Sequence, residues 1–159
     1  MKKGLLIALM LIFATPFVVN AQLKKSSEIE KVRSFTNGTV ALFKTTIIDD
    51  FELLNETIEI YAVKLPNVST YHSPIVLYLG TKENMLKNLQ DFSDALNNGK
   101  KGESFEFDVL NKKYYLSFGK VLGQRCFLVS EPYSSSNDYG RFFKSTIDDI
   151  IEYFKKVEE

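Results

Sequence analysis

Met85, Leu89, Phe92 and Leu96 recur at spacings of four, three and four. That spacing gathers them into one stripe along a helix and leaves Lys87, Asn88, Asp91 and Asp94 mostly off it. A stripe of this kind needs an apolar surface to cover. Just before it, Ile75 to Leu79 is a continuous apolar run of strand length, ended by Gly80. An apolar strand feeding an amphipathic helix restricts the chain to folds in which helix packs on sheet. Thr81 is suited to the N-cap, Glu83 places an acid in the first turn where the helix dipole favours it, and Asn98-Gly99 supplies the stop.

Other strands follow from β-branched and aromatic runs bounded by turn residues. Val40 to Ile48 and Ile58 to Leu65 read as strands, the first preceded by the turn signal Thr36-Asn37-Gly38. Phe105, Phe107 and Val109 alternate with Glu106 and Asp108, as a strand with one wet face should. Asn111-Lys112-Lys113 predicts a hairpin turn into a strand from Tyr114 to Val121. Leu122-Gly123-Gln124 turns again into Arg125 to Ser130. Pro132 to Asp138 reads as a polar loop, with Asp138 capping a last helix that carries Phe143, Ile147, Ile150, Ile151, Phe154 and Val157 on one face. Asp148, Asp149, Glu152 and Lys156 are then expected to face water.

This βββαβββα order predicts an α+β fold, a mainly antiparallel sheet of about six strands with two amphipathic helices on one face. The repeated order suggests two similar halves meeting near Gly99, without residue-level identity between them. Residues 22–36 are polar, with Ile29, Val32 and Phe35 spaced three apart, which fits a short helix or a tether.

The beginning of the chain bears on compartment. Lys2 and Lys3 form a basic start, Leu5 to Phe13 an apolar core too short to span a membrane, and Val19-Asn20-Ala21 a cleavage site. Residues 1–21 are expected to be a signal peptide, residues 22–36 a polar segment and residues 37–159 a single α+β domain. A soluble product beginning at Gln22 is expected, periplasmic or secreted, with no stable membrane anchor. No cysteine lies in or just after the apolar core to carry a lipid.

Composition narrows function. The chain carries 20 basic and 20 acidic residues, and loss of Lys2 and Lys3 leaves a formal charge of −2, without the basic stripe that nucleic-acid binding requires. Cys126 is the only cysteine and His72 the only histidine. A Cys126–His72 dyad would have to draw its thiol from an apolar strand, where the thiolate is disfavoured. Zinc spacing and a calcium loop are both missing, so no metal and no cofactor is expected. Asp49-Asp50 and Asp148-Asp149 read as solvated charge rather than as an acid–base pair.

The most suggestive stretch is Tyr133-Ser134-Ser135-Ser136-Asn137-Asp138-Tyr139-Gly140, because Tyr with Ser, Asn and Gly is the composition of adaptable protein-binding loops. Tyr115 points away from Tyr114, Leu116 and Phe118, so it is expected on the helix-free face, where Tyr78 can join it. Tyr78, Tyr115, Tyr133 and Tyr139 are therefore the candidate partner-binding residues. The alternatives for the same residues are a solvated connector and ordinary cross-strand pairs.

From Ile75 to Leu96 the chain runs as an apolar strand followed by Leu-Gly-Thr-Lys-Glu-Asn-Met-Leu-Lys-Asn-Leu, with hairpin strands and a closing amphipathic helix after it. In this it resembles small exported Bacteroidetes proteins of unknown function. The resemblance implies compartment and fold and carries no catalytic residue. The expectation is a non-enzymatic exported domain that binds another envelope or extracellular protein. The alternatives are a carrier of a small apolar ligand held between helices and sheet, and a small Cys/His hydrolase.

Overall fold

The computed structural model describes residues 29–48 and 57–157. The expected signal peptide and the Asp49-Asp50 pair lie outside them. Ten elements follow in chain order. The first half holds β1 (Ile29–Phe35), β2 (Val40–Ile48), β3 (Thr57–Leu65), β4 (Ile75–Gly80) and α1 (Lys82–Asn98). The second holds β5 (Ser104–Val109), β6 (Lys112–Val121), β7 (Gln124–Ser130), β8 (Gly140–Phe143) and α2 (Lys144–Val157).

The fold is α+β with antiparallel sheets, but the strands divide into two four-stranded sheets rather than one sheet of six. Their orders are β1-β2-β3-β4 and β5-β6-β7-β8. Each half is four antiparallel strands followed by a helix, and the halves meet between Asn98 and Ser104. Both extra strands occupy segments that the sequence presents ambiguously.

Ile29–Phe35 is a strand paired with β2, not a helix or tether, and its register shifts between Lys31 and Arg33. That bulge changes which residues share a face. It leaves Ile29 68% exposed on one side and brings Phe35 to 7% on the other, so a three-residue spacing arises within extended backbone. Gly140–Phe143 pairs with β7, which sends Phe142 into the core, fully buried, and removes Phe143 from the last helix. The helix begins at Lys144, so Asp138 does not cap it.

Local signals account for much of the remainder. Thr81 caps α1, its side chain accepting from the Asn84 amide at 3.5 Å. The β5–β6 and β6–β7 hairpins turn through Leu110-Asn111 and Leu122-Gly123, all four residues at positive φ. This is the two-residue turn whose twist matches antiparallel strands, and it lies one residue earlier than Asn111-Lys112-Lys113 implied.

One core joins the halves. Met85, Leu89, Phe92 and Leu96 of α1 and Ile147, Ile150, Ile151 and Phe154 of α2 bury against Leu42, Val63, Leu77 and Leu79 of the first sheet and Leu116, Phe127 and Val129 of the second. The helices touch each other, and each reaches into the other half: α1 against β7, α2 against β1. Asp148, expected to face water, does so in part, and also accepts from Ser93 of α1 at 2.6 Å and from Lys144 at 2.6 Å. Thr36 and Thr146 share a hydrogen bond of 2.5 Å between β1's turn and α2.

Candidate functional site

Two loops, one from each half, are fastened together at one end of the sheets. The β3–β4 loop starts at Pro66 and ends at Pro74, and the β7–β8 loop runs from Glu131 through Pro132 to Tyr139. Proline at these positions cannot continue a ladder, and the Ser, Thr and Asn between them favour turns. Asn67 organises the first loop, accepting from the Ser69 amide at 3.0 Å and donating to the Ser73 carbonyl at 3.1 Å. The same Asn67 amide nitrogen donates to Asp138 Oδ1 at 2.5 Å, and His72 Nδ1 lies 3.2 Å from Asp138 Oδ2. Backbone pairing reinforces the link: the Val68 amide donates to the Tyr139 carbonyl at 2.9 Å, and Asn67 bridges Gly140.

Gly140 makes that approach possible. A Cβ at this position would lie 2.8 Å from Leu65 Cβ, closer than real packing allows. The Asn67 hydrogen bond is the main reason that the Asp138 carboxyl is held below its ordinary range; desolvation opposes this, and His72 lowers it further.

This fastened pair presents two tyrosines to solvent. Tyr133 is fully exposed and Tyr71 is 96% exposed. Tyr133 sits at φ 65°, a left-handed conformation uncommon for an aromatic residue. Tyr71 carries no comparable sequence signal: its loop holds only the separated Ser69 and Ser73, whereas Ser134-Ser135-Ser136 follows Tyr133 directly.

The four candidate tyrosines do not form one surface. Tyr133 and Tyr139 belong to the loop pair, and Tyr139 is partly buried, held through its carbonyl. Tyr115 stands on the outer face of the second sheet, 38% exposed, opposite the buried Tyr114 and Leu116. Tyr78 lies on the outer face of the first sheet, with Lys112 Nζ 5.8 Å from its ring centre. There it lines a hollow of about 240 Å³ with Ile29, Phe43, Ala62 and Val76. This hollow is on the helix-free side, not between helices and sheet.

The structure does not bring Cys126 and His72 together. Cys126 is buried on β7 opposite Phe143, at the far end of the short β7–β8 ladder from Gly140, a separation of roughly 10 Å at strand rise. Burial pushes its thiol up, away from the thiolate, with Arg141 pulling weakly the other way. Among the described residues no three His, Cys, Asp or Glu side chains gather as a metal site would need. His72 is paired with Asp138, yet among the described residues no hydroxyl is hydrogen-bonded to its ring.

Comparison with protein-family models, with curated proteins and with solved structures found no match.

Proposed function

We propose that this protein is an exported, non-enzymatic domain that binds another macromolecule of the envelope or extracellular space through its paired loops. The observation that carries this reading is the exposure of Tyr71 and Tyr133 on two loops bonded to each other. Loops from different halves are cross-linked by Asn67, His72 and Asp138, and two aromatic side chains are left almost wholly in water. Exposed aromatics gain most from docking on a partner, and holding the loops beforehand reduces the ordering entropy that binding costs. Tyr115 offers a second aromatic contact on the outer sheet face, while Tyr139 acts as a support.

The test is capture from envelope extract with residues 22–159 as bait, followed by direct binding of the captured protein after purification. Tyr71→Ser/Tyr133→Ser is expected to abolish binding with unchanged circular dichroism, while Tyr115→Ser retains most of it. Equal binding by the double variant and the parent would remove the loops from the proposal. Export is checked separately: the released protein is expected to begin at Gln22.

The hollow beside Tyr78 favours a second reading, a carrier of a small apolar molecule on the outer sheet face. At about 240 Å³ it falls below the roughly 300–1,000 Å³ common for small-molecule sites. Organic extraction of purified protein, with mass spectrometry of the extract, would reveal such cargo; an empty extract argues for the loops.

A further inference from the structure

At the other end of β7 from the loop pair, the chain builds a hollow of about 360 Å³ lined by Gly99, Lys101, Phe118, Gly119, Lys120 and Arg125. Three of these six residues are cations and none is an acid. We propose that this hollow is a binding site for a phosphate group, carried either on a small soluble molecule or on a lipid headgroup.

Lys120 and Arg125 are directly opposite each other across β6 and β7, so their side chains leave the same face of the sheet. Like charges in that relationship repel. Neither residue, nor Lys101, makes an ion pair with an acid among the described residues. Glu103, on the neighbouring turn, directs its carboxylate to the Lys100 amide at 2.9 Å. The arrangement lacks a counter-charge, and a phosphate supplies up to two negative charges at one point.

Arg125 is not a free surface arginine: its Nη1 donates to the Leu96 carbonyl at 2.6 Å and to the Asn97 carbonyl. Those bonds hold the guanidinium at the end of α1, and its Nη2 and Nε have no partner among the described residues. A guanidinium fixed along one edge offers its remaining donors as a fork that matches phosphate oxygens. Carbonyls at a helix C-terminus would ordinarily repel an anion. Here Arg125 covers two of them, and the Gly99 amide covers that of Ala95 at 2.7 Å.

Glycine at position 99 lets an aromatic ring wall the hollow. The Phe118 ring lies where a Cβ on Gly99 would stand, 1.8 Å from the ring. The ring therefore packs onto the bare backbone of Gly99 and forms one wall of the hollow.

The experiment is calorimetric titration of residues 22–159 with inorganic phosphate and with glycerol phosphate, beside co-sedimentation with phosphatidylcholine vesicles containing or lacking phosphatidic acid. Saturable binding is expected in one arm, weakened at least tenfold in Lys101→Gln/Lys120→Gln, a pair that makes no hydrogen bond needed for folding. Binding of the soluble esters assigns a free ligand; binding confined to the phosphatidic acid vesicles assigns a headgroup. Melting provides an independent readout. Without phosphate, Lys120→Gln is expected to melt no lower than the parent, since it relieves repulsion, and it should lose any rise in Tm that phosphate gives the parent. No saturable binding in either arm, or equal binding by parent and double variant, would overturn the site.

Discussion

Tyr114 donates its phenolic hydrogen to the carbonyl of Val76 at 2.9 Å, across the seam between the two sheets. Its oxygen also accepts from the Tyr78 amide at 3.3 Å. Val76 and Tyr78 are two apart on β4, an edge strand of the first sheet, so their outward groups point the same way. The phenol satisfies both where a neighbouring strand is missing. An open edge is a template for pairing with another chain, and here a side chain from the opposite half closes it.

Tyr114→Phe is therefore expected to destabilise the fold by about 1–3 kcal/mol, the usual cost of leaving buried polar groups unpaired, read from the midpoint of urea unfolding. Burial pushes the Tyr114 phenol up to about 12, against the weaker lowering effect of the Tyr78 hydrogen bond. A phenol raised in the folded state contributes stability that is complete below its unfolded value of about 10 and is lost as pH rises toward about 12. The parent should lose stability across that window, and Tyr114→Phe should lack this component.

Asp138 predicts the opposite pH dependence. Its carboxyl is lowered first by Asn67 and then by His72, so its contribution is present above the unfolded carboxylate value and is lost as pH falls through the lower folded value. The parent's Tm should fall more steeply than that of Asp138→Ala on acidification from pH 5 to pH 3. Parallel curves would show that the loop clamp does not couple to folding.

Gly140→Ala tests the junction beneath the loops. Its Cβ would lie 2.8 Å from Leu65 Cβ, and neither atom can rotate away. A loss of about 1–3 kcal/mol is expected from overpacking. Increased hydrogen exchange at the Val68 amide, which bonds the Tyr139 carbonyl, should accompany it.

Cys126 is buried and its thiol is pushed up by desolvation. Reaction with an aromatic disulfide reagent at pH 8 is expected to be slow in the native state and fast in guanidinium. A fast native reaction would show a path to the thiol that the fold does not provide.

Much of the secondary structure is legible in local pattern. The stripe Met85, Leu89, Phe92 and Leu96 is buried as its spacing requires, and Tyr115 alternates away from Tyr114 and Leu116 as pleating requires. Two short strands escaped because each reads locally as something else. A bulge at Val32 gives β1 a helical spacing, and Gly140–Phe143 runs without a break into the apolar periodicity of α2. The site was half visible: Tyr133 announced itself through its serine-rich loop, whereas Tyr71 carried no comparable signal.

Periodicity acts between residues a few positions apart, and on that scale the sequence determined the helix faces, the strand alternation, the turn at Leu122-Gly123 and the helix stop at Asn98-Gly99. Only the tertiary structure decided that the strands part into two sheets, because sheet membership depends on which edges meet and no local pattern encodes a partner. The clamp has the same origin. Asn67 and Asp138 lie 71 residues apart, and their bond exists because one helix–sheet core holds both halves in register.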